Sequence, residues 1–512
     1  MTINLNNTWK TKLLTLGMWL FVIAGSITAA NVFIGSCINA YPGAIAPLLI
    51  AAFIAFACGS LYIKKKLTSA KDAALEKVAR IAVPLYLAFL FAVHILLGYL
   101  MEYTPMGDNF MLFTSSQMLV TDGNFDAYPD FYLYLSRFSN QWGFLLILST
   151  LYRLLFALGL TDMFFPTVCV QALLYVGGMA AFFGIARQLR GVRGVIAALF
   201  VAVTCLPLYL AAAVLYTDTF SLPFLVIAVY FALRTLDAGS MKRTLVFALL
   251  CAVFAALGSQ IKMTVAIVLI AATIVFFLRL PLLRALCAGA VIWLCMALSI
   301  LGVNRAVVGP VLDPEMVAQH HTPTIHWVMM SIPSSDNPYG SYRSEDYRIT
   351  WTMMEEGASR EAVMDSIYTR LIDKIYFLRY PNRLIPLMLN KNAAAFGDGS
   401  FGMTDMLDDG PKRENLLSSF VLLDRPYYAL YLSVCSGVYF VHLLFAVLSC
   451  LQDVKRRHFG SAILYIAMLG LILFMLIWES RSRYIFNFVP ILLLLSSSFI
   501  ACEAKERGKC IG

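Results

Sequence analysis

The sequence is poor in charge, and that shortage excludes most of what a chain of this length can be. Only 13% of its 512 residues are Asp, Glu, Lys or Arg, 60% are hydrophobic, and the mean hydropathy is +0.77. A water-soluble globular chain carries about 25% charged residues, so this one has too little polar surface to be soluble. The net charge of +9 does not point to nucleic acid, which would need a clustered basic face on a soluble domain. Here the basic residues sit in short clusters between apolar runs, the pattern of topology signalling. No CxxC pair occurs, and Cys58, Cys169, Cys205, Cys251, Cys287, Cys295, Cys435 and Cys450 fall inside apolar segments. There they act as small hydrophobes, so redox and structural-zinc readings are poor. No P-loop follows a strand, no GxGxxG opens a helix and no GxSxG elbow is present, which leaves nucleotide-driven and serine-hydrolase chemistry unsupported. An internal repeat is also lacking, and this counts against an inverted-repeat transporter.

What the chain does have is long apolar runs. Runs of about 17–25 residues predict membrane-spanning helices near 13–35, 42–62, 81–101, 162–186, 194–213, 219–236, 244–258, 261–279, 283–303, 426–451, 460–478 and 484–502. The expected fold class is therefore all-α and polytopic, with about twelve transmembrane helices. After Met1 to Lys12, the first run is long enough to span and is read as an uncleaved helix, although the small Ala29–Ala30 would suit cleavage. The run 141–160, which contains Arg153, is read as a half-inserted or interfacial helix. A full crossing would put RQLRGVRG (187–194) outside and invert every later basic cluster. With both termini inside, the cytoplasmic segments 1–12, 62–80, 186–194, 234–243, 279–284, 453–458 and 503–512 hold more than half of the 39 Lys and Arg, as the positive-inside rule demands. The organisation expected is two N-terminal helices with a basic loop (1–80), a core (81–303) with a first extracytoplasmic loop at 102–140, a large extracytoplasmic loop (304–425), and C-terminal helices (426–512). Both loops interleave aromatic and apolar residues with charge, as helices lying along an interface do.

The informative residues stand at the outer ends of helices. Asp108, in PMGDN, reads as a general base facing a membrane-level cavity or, more ordinarily, as a helix-capping aspartate. Glu102 is a weaker candidate for the same duty, and Asp122, Asp126 and Asp130 are turn residues. Asp218, in LYTDTFS, starts a helix, where the dipole favours a carboxylate. Lys262, in LGSQIKMTV, sits between apolar runs, where a buried charge costs about 2.5–3.5 kcal/mol; it either snorkels outward or pairs with an anion at the interface. In WESRSRYIFNF, Glu479, Arg481, Arg483 and Tyr484 make a tight turn whose two arginines run against the positive-inside tendency. Guanidinium forks bind phosphate, and a salt bridge to Glu479 explains one arginine more easily than both. His320, His321, His326 and Trp327 form the one histidine cluster. Its spacing lacks the carboxylate partner of a metallohydrolase, so His326 and Trp327 are read as packing on the bilayer or lining an acceptor groove.

These motifs, taken in order, resemble the GT-C glycosyltransferases, polytopic enzymes that take a sugar from a polyprenyl-phosphate carrier outside the cytoplasm. The resemblance spans roughly residues 80–500. It runs from Asp108 after the first core helix through NQWGFLLILSTLYRLLFALG, RQLRGVRG, VLYTDTFSLPF and the SQIKMT lysine to ESRSRY before a last helix containing Pro490. HWVMMSIP and AAFGDGSF are similar to pieces of Gram-positive envelope members, within the protein mannosyltransferase and aminoarabinose transferase type. The resemblance implies an inverting transfer in which Asp108 deprotonates the acceptor hydroxyl. Arg481, Arg483 and Lys262 would bind the leaving lipid phosphate, with Glu479 and Tyr484 in support. Many members carry paired acidic residues where this chain has Asp108–Asn109, so Asp218 and Glu102 are left as second carboxylates and a metal-assisted variant is unsupported. The first two helices are additional to the usual core. No cofactor motif is present. The partners implied are the bilayer, a polyprenyl-phosphate sugar donor and an acceptor that is an envelope glycopolymer, glycolipid or protein. The rival readings are a transporter or flippase of a lipid-linked or anionic substrate and an envelope glycan polymerase or ligase.

Overall fold

The computed structural model describes residues 9–39, 43–125, 128–403, 407, 411–412 and 414–501; Asp126 and the basic residues after 501 lie outside them. The chain is all-α and polytopic. Among the described residues, nine helices are long and apolar enough to cross a membrane: Trp9–Cys37, Ala46–Ser69, Asp72–Leu100, Phe164–Thr204, Thr217–Leu236, Met241–Ile261, Leu282–Val307, Tyr428–Arg456 and Ser482–Ala501. Met263–Arg279 and Ala462–Ile477 are shorter apolar helices.

Phe164–Thr204 is in fact two helices. The backbone leaves helical geometry at Arg190 and Gly191, the latter at φ +62°. A Cβ on Gly194 would lie 2.4 Å from the Ala186 carbonyl oxygen, whereas residues eight apart in a straight helix are about 12 Å apart. The chain therefore folds back on itself, as separate helices at 162–186 and 194–213 require. Counted this way, the apolar helical segments among the described residues number twelve.

Several boundaries differ from the expected ones. Asp72–Leu100 begins well before residue 81 because its polar first turns are still good helix, although they lie beyond the apolar run. The fold-back hairpin ends at Thr204 and not at 213, because Pro207 opens a separate short turn, Pro207–Leu210. The segment expected at 141–160 is the 16-residue helix Trp142–Ala157, with Arg153 exposed and Trp142, Phe144, Leu145, Leu148 and Tyr152 buried. It packs on Gly107–Thr121, Met241–Ile261 and Leu282–Val307.

The basic clusters among the described residues converge on one end of the bundle. Lys10 donates to the Phe277 carbonyl (3.0 Å), Arg279 to that of Phe459 (3.1 Å) and Arg284 to that of Ala238 (3.2 Å). At the hairpin bend Arg190 pairs with the buried Asp453, beside His458 and the Tyr465 hydroxyl. Arg187 and Arg193 tie it to Glu76 and Asp72. The opposite end carries the segments 102–140 and 304–425. The larger one folds into the helices Pro314–His320, Thr324–Ser331, Ser344–Glu355, Arg360–Phe377 and Pro381–Phe396, with a small core of its own formed by Met329, Met354, Val363 and Ile367. It is clasped to the smaller one. Arg137 pairs with Glu355, Ser139 Oγ lies 2.7 Å from His321 Nε2, and Phe138 stacks among Trp327, Tyr347 and Trp351.

The two N-terminal helices pack against Tyr428–Arg456, and the approach is close. A Cβ on Gly437 would stand 2.5 Å from the Leu49 carbonyl oxygen and 2.9 Å from the Phe53 nitrogen. Small residues of this kind let helix backbones meet in a bilayer. Gly437→Ala is expected to force the helices apart and cost about 1–3 kcal/mol, read as a lowered thermal midpoint of the detergent-solubilised chain.

Candidate active site

The polar residues at the loop-bearing end meet in one cluster. Asp108 lies in the first turn of Gly107–Thr121, whose N-cap, Met106, makes no side-chain capping bond. Its carboxylate does not serve that helix. It accepts from the Tyr134 hydroxyl on Oδ1 (2.9 Å) and from the Tyr216 hydroxyl on Oδ2 (3.0 Å). Tyr134 comes from the helix Pro129–Arg137, and Tyr216 from the turn that opens Thr217–Leu236. Burial raises both hydroxyls far above the usual phenol range, and the neighbouring Asp108 charge raises them further. Each therefore stays protonated and donates.

Tyr216 carries the cluster across to the arginine turn. The Arg483 guanidinium stands over its ring, 4.9 Å from the centroid, and 5.4 Å from that of Tyr484. Lys262, at the break between Met241–Ile261 and Met263–Val265, turns inward and does not snorkel. Its Nζ is 2.8 Å from Oδ1 of the buried Asp218 and 4.0 Å from the Tyr484 ring centroid. The two arginines of the turn differ. Arg481 makes a 3.7 Å ion pair with the buried Glu479 and keeps 41% of its side chain exposed, whereas Arg483 is held against aromatic rings. Beneath them Asn487 Nδ2 donates to Ser221 Oγ (3.1 Å) and Thr264 Oγ1 (2.9 Å).

The large loop roofs this cluster. Tyr342 and Tyr347 stack at 4.9 Å. Burial raises both hydroxyls, and the charges of Asp108 and Glu479 raise them further. Asp398, in FGDGSFG, accepts from Ser400 N, Ser400 Oγ and Gly402 N, and also from Ser482 Oγ at 3.1 Å. It thereby fixes the residue between the two arginines. Ser480 N donates to the Gly340 carbonyl (3.0 Å) and anchors the other side of the turn.

Asp108, Asp218, Lys262, Glu479, Arg481, Arg483 and Tyr484 are thus brought together, and three candidates are not. Glu102 is engaged by Lys412, whose Nζ is 2.7 Å from Oε1. His326 is wholly buried, bonded to Thr350 Oγ1 (3.0 Å) and packed on Tyr347. Burial, with Arg370 and Lys374 adding to it, lowers its imidazole to about 3. It is a neutral core residue and cannot line a groove. Trp327, half-buried, packs against Phe138, Tyr347 and Trp478 in the same aromatic cluster. His321 bonds Ser139, so the histidines do not share a site. Sequence reasoning passed over Tyr134, Tyr216, Lys391 and Asp398. The signal that could have found the last two is a charged residue inside an otherwise small and apolar stretch, NKNAAAFGDGSF.

A family model described as a conserved hypothetical integral membrane protein matches residues 3–503. The chain belongs to that family. No curated protein matches it. Among solved structures it is similar to ArnT from Cupriavidus metallidurans, determined bound to undecaprenyl phosphate, at 14% identity over 81% of this chain and 77% of that one, with a TM-score of 0.33.

Lys391 gives the site a pH signature. It is fully buried and donates to the Ser331 carbonyl at 2.5 Å. Burial lowers its ammonium to about 7; Glu479 opposes that shift and Lys374 adds to it. In the unfolded chain the group titrates near 10.4. Between about pH 7 and about pH 10 the unfolded state binds more protons, so stability rises with pH across that window and the burden of the charge is full below it. Lys391→Met is expected to flatten the rise, measured as thermal midpoints from about pH 6 to about pH 10.

Proposed function

We propose that this protein is a membrane glycosyltransferase that moves a sugar from a polyprenyl-phosphate carrier to an acceptor hydroxyl outside the cytoplasm, with inversion. The observation that carries the reading is the linkage of Asp108 to Arg483 through one tyrosine, Tyr216. A carboxylate that can take a proton and a guanidinium that can hold a phosphate stand one side chain apart, beneath a loop roof. In this reading Asp108 removes the acceptor proton, the acceptor oxygen attacks the anomeric carbon, and the sugar–phosphate bond breaks. Arg483, Arg481 and Lys262 stabilise the phosphate charge that develops. Tyr134 and Tyr216 orient the carboxylate, Asp398 positions the arginine turn through Ser482, and Asp218 with Glu479 keeps the cations fixed. The acceptor belongs to the cell envelope as glycopolymer, glycolipid or protein, and enters beneath Tyr342.

Transport of the same lipid-linked substrate is the rival, and packing counts against it. Below Asn487 the last helix is buried and apolar from Val489 to Leu495. This supports a site closed toward the basic end and not a path through the bundle.

Two outcomes test the reading with the purified chain, a panel of polyprenyl-phosphate sugars and release of polyprenyl phosphate as the readout. Asp108→Asn is expected to lower turnover by about 10²–10⁴-fold, the usual worth of a positioned base, with the thermal midpoint retained. Unchanged turnover would remove Asp108 from the mechanism. Arg483→Lys is expected to weaken transfer by at least about tenfold, because an ammonium cannot reproduce the planar fork. It should also weaken binding of polyprenyl phosphate itself.

A further inference from the structure

The helices Arg360–Phe377 and Pro381–Phe396 meet in an elbow, residues 372–386, that the rest of the chain leaves bare. Ile372, Ile375, Tyr376, Tyr380, Leu384 and Ile385 are exposed, Tyr376 at 63% and Ile385 at 57%. From residue 381 to 386 every side of the helix is open. A contiguous apolar and aromatic surface of this kind marks an interaction site. Cations are built into it. The Arg379 guanidinium is 3.4 Å from the Tyr376 ring centroid and 4.4 Å from that of Tyr380, and Arg383 is 4.7 Å from that of Phe377. Lys374 turns inward to Asp346, and Asp373 is the one carboxylate of the segment, so the outward charge is positive.

The elbow also stands at a defined level. Asn31 Nδ2, on the first apolar helix, donates to the Leu389 carbonyl (2.8 Å), and Asn392 Nδ2 donates to Thr28 Oγ1 (3.0 Å). Lys10 of that helix lies at the basic end, tied to Phe277. Asn31 is about 30 Å further along the axis at the α-helical rise, which is the thickness of the hydrocarbon layer. The helix that carries the elbow is therefore tied to the far boundary of the apolar bundle.

We propose that the 372–386 elbow docks on the bilayer surface, with its apolar side chains in the headgroup–acyl boundary and Arg379 and Arg383 on anionic phospholipid headgroups. Aromatic rings with arginine at headgroup depth match that layer in both polarity and charge. The inference does not depend on the sugar-transfer reading.

The test places p-benzoylphenylalanine at Tyr376, and separately at Ile385, in the full chain reconstituted in nanodiscs of equal parts phosphatidylglycerol and phosphatidylcholine. Illumination followed by mass analysis is expected to give lipid adducts at both positions, with phosphatidylglycerol favoured by about fivefold or more. Arg379→Ala with Arg383→Ala should abolish that preference, and the probe at the exposed Glu356 should give no lipid adduct. A cross-link to a second copy, or no adduct at either position, would overturn the proposal. Lipid adducts without headgroup preference would overturn the role of the two arginines.

Discussion

Charge held in a nearly dry setting is the constraint on which the rest of this structure depends. The buried Asp218 faces the largely enclosed Lys262, and Glu479 is buried beside Arg481. Removing such groups from water costs several kcal/mol per ion unless a partner and further polar contacts meet them. The partners come from separate parts of the chain: the turn at 216–218, the helix break at 262 and the turn at 479–484. Their pairing therefore fixes how those helix ends sit. Once they are fixed, the Tyr216 ring lies against Arg483 and its hydroxyl against Asp108. The low local dielectric that makes the pairs obligatory also makes a guanidinium effective against a phosphate.

The two ends of the bundle use charge differently. At the basic end, Arg190, Asp453, His458 and Tyr465 close around the fold-back of the hairpin, and Lys10, Arg279 and Arg284 donate to backbone carbonyls. There the charges satisfy backbone and fix helix ends. At the loop-bearing end the cations stand on aromatic rings, and the carboxylate of Asp108 is held by phenols. That leaves Asp108 and Arg483 linked through Tyr216, an arrangement suited to a charged guest. The large loop adds a roof with its own small core, and Asp398, Ser480 and Gly340 fasten that roof to the arginine turn.

The fold was largely legible in the sequence. Run length and hydropathy are properties of neighbouring residues, and the bilayer converts them directly into spanning helices. Boundaries were less legible, because a helix such as Asp72–Leu100 continues into polar sequence as long as its backbone bonds are made. Most charged members of the cluster, though not Asp398 or Lys391, were also legible. Asp108, Asp218, Lys262 and Arg483 are each anomalous among their own neighbours, and a charge at the end of an apolar run has to be explained locally.

The sequence by itself determined the solvent in which this chain folds, its all-helical architecture and the charged residues that need partners. Only the tertiary structure decided who those partners are. Tyr134 and Tyr216 look ordinary in sequence, and their role comes from a carboxylate 26 and 108 residues away. Glu102 resembled Asp108 until the fold set Lys412 against it, and His326 resembled a groove residue until the loop built its core around it. Hydropathy is summed along the chain, whereas the pairing of a buried charge is set by whatever distant segment packing brings within about 3 Å.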